Sequence, residues 1–182
     1  MNHRDHVNLL RGAVPLPPER VATGGVWAEL GSGSGAFTLA LAELLGPQGS
    51  IYSVDKDAGA LREQGRAMRA QFPYVHLEIL VADFTRPLDL PPLDGILMAN
   101  SLHFIIHRQK PAVLARLKDY LRLGGSLVLV EYNVDAGNPW VPYPMSYKTW
   151  ESMAAQAGFS TTRLVATRPS SFLREFYCAE SK

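Results

Sequence analysis

Glu29-Leu30-Gly31-Ser32-Gly33-Ser34-Gly35 sets three glycines at alternate positions directly after an apolar run. Glycine adopts positive φ freely and lets a ligand approach the backbone with no Cβ in the way. Two acids recur at similar breaks downstream. Asp55 closes the run Ile51 to Val54, where a carboxylate can accept both hydroxyls of a ribose diol. Asp83 stands in Val81-Ala82-Asp83-Phe84, where its carboxylate can meet an adenine edge. Gly31, Gly33 and Ala36 also satisfy the G-x-G-x-x-A pattern of nicotinamide dinucleotide sites. The glycines alone therefore leave a dinucleotide and a single adenosine both open.

A second group of residues suits an acceptor. His103, in Asn100-Ser101-Leu102-His103-Phe104, follows a fourth apolar run. Histidine serves equally as a general base and as a packing or capping residue, and both readings stand. Glu131 and Tyr132 close a fifth run; they read as the lining of an acceptor pocket or, for Glu131, as half of an ion pair. Asn138-Pro139-Trp140-Val141-Pro142-Tyr143-Pro144-Met145 is stiffened by its prolines and carries two amphipathic rings, Trp140 and Tyr143. It reads as a substrate-facing wall or as an ordinary packed connection. His107 is expected to be exposed. His3 and His6 have no companions to complete a metal site and are expected to be solvated. Cys178 lies in the last apolar stretch and is expected to be buried and unreactive.

These residues need elements to hold them. Val26 to Leu30 reads as a buried strand, and Phe37, Ala40, Leu41, Leu44 and Leu45 recur at helical spacing before Gly46-Pro47. Ile51 to Val54 is a second strand. Asp57 caps a helix whose Ala58, Leu61, Met68 and Phe72 share a face. Val75 to Val81 and Gly95 to Ala99 follow as strands, and a helix from about Pro111 is expected to stop near Gly124-Gly125. Leu127 to Val130 is the fifth strand, and Tyr147 to Ala157 a helix closed by Gly158. Thr161 to Thr167 and Phe172 to Ala179 are separated only by Arg168-Pro169-Ser170-Ser171, a link that permits an antiparallel hairpin but not a parallel crossover. Alternating strands and helices predict an α/β fold, a parallel sheet covered on both faces and ending in one reversed strand. Ligands on such sheets bind beyond the carboxyl ends of the strands.

Bulk composition narrows the function. The chain has 182 residues, of which 47% are hydrophobic and 19% charged, ordinary values for one globular domain. A formal net charge of +1 supplies no basic field for a nucleic-acid backbone, so no nucleic-acid partner is expected. One cysteine fits a reducing compartment, and no run approaches the roughly 18–20 apolar residues of a membrane span, so a cytoplasmic setting is expected.

The sequence E-x-G-x-G-x-G, an acid ending strand two and an aspartate-aromatic pair after strand three together resemble the class I S-adenosylmethionine-dependent methyltransferases, over about Trp27 to Tyr132. The resemblance implies a Rossmann-like, doubly wound sheet of seven strands in the order 3-2-1-4-5-7-6. It divides the single domain into an N-terminal helix laid over the cofactor (1–25), a cofactor-binding core (26–132) and a substrate-side loop, helix and hairpin (133–182). It also implies roles. The backbone of the turn, Glu29, Gly31, Ser32, Gly33 and Gly35, would hold the methionine part of the cofactor. Asp55 would take the ribose hydroxyls, with Lys56 beside the adenine. Asp83 would accept from the adenine amino group while the Phe84 N–H meets a ring nitrogen. The backbone carbonyl of Asn100, with Ser101 beside it, would hold the cofactor's amino group.

His103, Glu131, Tyr132, Trp140 and Tyr143 remain the candidates for the acceptor side, with His103 the candidate base. Asn100-Ser101-Leu102-His103 departs from the Asp/Asn-Pro-Pro-aromatic motif of amino-group DNA methyltransferases, and no proline-cysteine pair suits attack on a pyrimidine. A small-molecule acceptor is the expectation that remains. Two rival functions stand beside it: a nicotinamide-dependent oxidoreductase, and a subunit that binds S-adenosylmethionine without catalysis.

Overall fold

The computed structural model describes residues 1–14 and 25–182. Seven strands form one sheet in the order β3-β2-β1-β4-β5-β7-β6. The parallel strands are β1 (Val26–Leu30), β2 (Ser50–Asp55), β3 (His76–Val81), β4 (Leu93–Ala99) and β5 (Leu121–Tyr132). β6 (Thr162–Ser170) and β7 (Arg174–Ser181) form the expected hairpin, and β7 runs antiparallel to both β5 and β6.

The helices divide between the two faces. Strand residues alternate between them, so Trp27, Ile51, Leu97, Val128 and Cys178 meet one helical layer while Ala28, Val54, Ile96, Leu129 and Ala179 meet the other. The first layer holds α1 (His3–Leu10), α2 (Ala36–Leu45) and α3 (Ala58–Gln71); the second holds α4 (Lys110–Asp119) and α5 (Tyr147–Gln156). Central strands covered on both sides are apolar almost throughout, which is why β1 and β4 read as continuous hydrophobic runs. Asp57 caps α3 as expected, accepting from the N–H groups of Gly59 and Ala60.

Three expectations need correction. α4 ends at Asp119, not near Gly124, and β5 begins at Leu121. The Leu93 N–H donates to the Tyr120 carbonyl and Leu121 pairs with Leu93, so the sheet captures these residues before the helix can continue. Gly124, at φ 79°, then serves an irregularity inside the strand. Secondly, the described part of the expected cofactor cover lies elsewhere: α1 buries Val7, Leu9 and Leu10 against α2 and the hairpin. Residues 15–24 of that segment lie outside the described residues. Thirdly, His6 is not solvated but half-buried, its ring 4.5 Å from that of Phe37. His3 keeps a side chain 40% exposed and bonds Glu43 at 2.6 Å.

Gly95 shows how tightly the centre is packed. It sits opposite Trp27 across β1 and β4, and a Cβ there would overlap the buried indole. Gly95→Ala is expected to destabilise the fold by about 1–3 kcal/mol, the usual penalty for overpacking, measured as a shift in the denaturation midpoint.

Candidate active site

β1 ends at Leu30, and the chain must turn at once to start α2. Gly31, Gly33 and Gly35 all have positive φ in that turn. At Gly31 a Cβ would strike Ser101, and at Gly35 it would strike Gln64; a Cβ at Gly33 would meet nothing within 4 Å. The first and third glycines therefore allow close packing, and the second leaves a space open.

Most N–H groups of the turn are already used. Gly31 and Ser32 donate to the Val54 carbonyl, Gly35 donates to the Ser32 carbonyl, and Gly33 donates to Asp55 Oδ2 at 2.8 Å. A dinucleotide pyrophosphate would need such donors free, as it is held by exposed N–H groups at a helix N-terminus.

Below the turn runs a buried chain of side chains. Ser32 bonds Ser53 (2.7 Å), Ser53 donates to Gln64 Oε1 (2.8 Å), the Gln64 amide donates to Thr38, and Thr38 donates to Glu29. Burial pushes the Glu29 carboxyl up to about 8 despite that bond. The side chains of Glu29 and Ser32 thus support the turn from behind, while the role expected of these residues lay with their backbone.

The cavity lies beyond the carboxyl ends of β1, β2, β3 and β4 and has a volume of about 370 Å³. Gly31, Asp55, Lys56, Asp83, Phe84, Asn100 and Ser101 line it, joined by Thr85, Phe104 and Ile105. Asp55 accepts from Gly33 through Oδ2 and from the Asp57 N–H through Oδ1, which fixes the carboxylate and leaves lone pairs for a diol. Asp83 Oδ1 takes both the N–H and the hydroxyl of Thr85, and these bonds hold its carboxyl below the usual range. Asn100 ends β4 at φ 54°, and its Oδ1 is buried with no hydrogen-bond partner. Ser101 is committed to the fold, since its hydroxyl donates to the Leu30 carbonyl at 2.7 Å.

His103 and Glu131, 28 residues apart in sequence, are in contact. Glu131 accepts from the His103 backbone N–H through Oε1 (3.0 Å) and meets ring Nδ1 through Oε2 (2.7 Å), both residues being buried. A carboxylate on Nδ1 fixes the neutral ring with its proton there and its lone pair on Nε2. The His103 ring lies 4.4 Å from that of Phe104, which also lines the cavity, and 6.4 Å from that of Tyr132. The proline-rich loop is tied to this segment: the Tyr143 N–H donates to the His103 carbonyl at 3.0 Å, and Lys110 Nζ donates to the Tyr143 carbonyl. Trp140 is exposed on that loop, and His107 is exposed beside Lys110. Cys178 is buried, which pushes its thiol up to about 12. No metal-holding group of three His, Cys, Asp or Glu occurs among the described residues.

Thr85, Phe104, Ile105 and Lys110 are site residues the sequence did not reveal. Thr85 two places after Asp83 was the available signal, an Asx-type turn that orients the carboxylate. Lys110 gave none, because a lysine beside a proline reads as surface.

A parallel α/β sheet with a glycine turn after β1 and acids at the ends of β2 and β3 belongs to the class of folds that hold an adenosine cofactor at the strand ends. Over residues 28–127 the chain matches the family described as "Methyltransferase domain", more than half its length, and it belongs to that family. A putative O-methyltransferase from Nostoc punctiforme superposes on 100% of the chain with a TM-score of 0.74 at 19% identity, using 57% of its own length. The 1,6-didemethyltoxoflavin-N1-methyltransferase of Burkholderia thailandensis, solved with its substrate and S-adenosylhomocysteine, covers 100% of this chain and 78% of itself, with a TM-score of 0.71 at 17% identity. The ribosomal RNA small subunit methyltransferase H of Paracidovorax citrulli is 36% identical over 92 residues, 50% of this chain. The chain spans only 26% of that relative's length.

The lining residues fit S-adenosylmethionine. The lining offers two carboxylates, Asp55 and Asp83, of the kind that a diol and an amino group satisfy, and the orphaned Asn100 Oδ1 is a further acceptor.

The Glu29 carboxyl generates a pH prediction. Its folded value near 8 lies above its ordinary 4.5, so the folded chain binds more protons between those values. The associated stability is full below pH 4.5 and is lost as pH rises through 8. Glu29→Gln should flatten the fall in melting temperature between pH 6 and pH 9, roughly, and parallel curves for the two proteins would refute a protonated Glu29.

Proposed function

We propose that this chain transfers a methyl group from S-adenosylmethionine to a small-molecule acceptor, with His103 as general base and Glu131 as the group that orients it. The observation that carries the reading is the cavity itself, whose lining brings Asp55, Asp83 and Asn100 together. When bound, the cofactor supplies a methyl group on a positive sulfur that is already a good leaving group.

The chain's own residues do the rest. Asp55 receives the ribose hydroxyls and, through Gly33, holds the turn in register with them. Asp83, kept ionised by Thr85, accepts from the adenine amino group, and Asn100 receives the ammonium. Holding an acceptor in line with the methyl can contribute on the order of 7–11 kcal/mol of the barrier. His103 Nε2 removes the acceptor's proton, and Glu131 stabilises the resulting imidazolium through Nδ1.

The small-molecule reading draws on the formal net charge of +1, which offers no field for a polyanion, and on the loop from Asn138 to Met145, which is fastened to the His103 segment. A buried carboxylate–imidazole pair also speaks against a merely cofactor-binding subunit, which would have no use for one. No helix among the described residues is long and apolar enough to cross a membrane.

Calorimetry provides the test. S-adenosylmethionine and S-adenosylhomocysteine are expected to bind with micromolar dissociation constants and NAD(P) not at all; binding of NAD(P) alone would overturn the reading. Asp55→Ala should weaken S-adenosylhomocysteine by about 1.5–3 kcal/mol through loss of a charged acceptor. His103→Ala should lower kcat by roughly 10²–10⁴ while leaving that affinity unchanged, and undiminished turnover would return His103 to a packing role.

A further inference from the structure

Three large aromatic side chains stand in solvent on the same side of the molecule as the His103–Glu131 pair. Phe104 is 63% exposed, Trp140 71% and Phe172 50%. They come from three separate segments: the 3-10 turn after β4, the loop after β5 and the β6–β7 turn. Sequestering an aromatic ring from water stabilises a fold, so leaving three of them largely exposed forgoes part of that gain. Scattered apolar residues on a surface are ordinary, but contiguous ones mark a binding site.

Two of these rings touch, and the third is linked to them through other rings. Trp140 meets Phe172 edge-on at 6.3 Å, Phe172 meets Tyr132 at 5.8 Å, and Tyr132 packs on Phe176 at 4.2 Å. Tyr132 adjoins His103, and His103 adjoins Phe104, whose side chain also lines the cofactor cavity. A chain of ring contacts thus links that cavity, through the buried His103, to the loop after β5. Ring faces favour flat partners through offset and edge-on stacking.

The base adds a second requirement. Methylation of a free amine nitrogen needs no proton removed first, whereas a hydroxyl oxygen is a poor nucleophile until its proton leaves. A phenol titrates near 10 and an aliphatic hydroxyl far higher, so an imidazole has a far smaller gap to close for a phenol.

We propose that the methyl acceptor is a planar hydroxyarene, stacked among Phe104, Tyr132, Trp140 and Phe172 with its hydroxyl against His103. This rests on the methyl-transfer reading above and specifies its substrate class. The phenolic O–H bond breaks, its proton passes to His103 Nε2, and the oxygen lone pair forms the new bond to the methyl carbon. The carbon–sulfur bond breaks with its electron pair remaining on sulfur, and the proton leaves His103 to solvent. The products are an aryl methyl ether and S-adenosylhomocysteine.

The test uses the full chain with saturating S-adenosylhomocysteine and a panel of hydroxyarenes (2-naphthol, 2,3-dihydroxynaphthalene, 8-hydroxyquinoline), with cyclohexanol and uridine as controls. Saturation-transfer NMR is expected to show binding of hydroxyarenes and of neither control, and a product assay with S-adenosylmethionine should show methylation of a hydroxyarene oxygen. Trp140→Ala and Phe172→Ala, both exposed and so tolerable to the fold, should each weaken hydroxyarene binding by roughly 2- to 12-fold, the worth of one aromatic pair, without changing the affinity for S-adenosylhomocysteine. Normal binding of S-adenosylhomocysteine with no hydroxyarene bound, or with cyclohexanol or uridine bound equally well, overturns the substrate class alone. Failure to bind S-adenosylhomocysteine overturns the methyl-transfer reading itself.

Discussion

The buried chain Ser32–Ser53–Gln64–Thr38–Glu29 is the interaction on which the site depends. It joins β1, β2, α2 and α3 directly beneath the glycine turn, so the turn rests on a fixed polar floor. Its bonds run in one sense, each hydroxyl or amide donating to the next acceptor until the Glu29 carboxyl is reached. With Glu29 protonated near neutral pH the whole chain is uncharged, which avoids the heavy penalty of an unpaired buried carboxylate. The floor sets where Gly33 sits, Gly33 engages Asp55, and Asp55 faces the cavity. An error in the floor would reach the ligand in two steps.

The acceptor side is held by a different logic. Glu131 closes β5 and captures the chain after β4 by both a backbone and a ring nitrogen of His103. The proline-rich loop is then fastened to the same segment, by Tyr143 to the His103 carbonyl and by Lys110 to the Tyr143 carbonyl. Burial pulls Lys110 down to about 8, with Glu131 opposing that shift. Lysine in this position is expensive, and the geometry explains its use: one ammonium links α4 to a loop that has few backbone donors of its own. His103, Glu131 and the proline-rich loop are therefore placed by two strand ends and one lysine.

Much of this was legible in the sequence because it obeys local rules. The α3 cap at Asp57, the run of β1 and the hairpin forced by a four-residue link all follow from short-range chemistry. The end of α4 did not, because the competing partner, Leu93, lies far away in sequence. The same holds within the site. Asp55 and Asp83 stood out because strand ends mark themselves, whereas the joining of His103 to Glu131 needs the parallel pairing of β4 with β5. The side-chain placement of Glu29 and Ser32 was hidden for a related reason. A sequence locates a residue on a turn, but which side of the turn its side chain occupies depends on Thr38 and Ser53, polar residues inside otherwise apolar elements.

The most direct measurement is a crystal structure of this chain with S-adenosylhomocysteine. The account predicts the adenine beside Asp83, the ribose hydroxyls on Asp55, and the ligand's amino group within hydrogen-bond distance of Asn100. The sulfur should lie on the side of the cavity nearest His103 and Phe104. A ligand bound elsewhere, or one in this cavity that leaves Asn100 Oδ1 unsatisfied and its sulfur remote from His103, would contradict it.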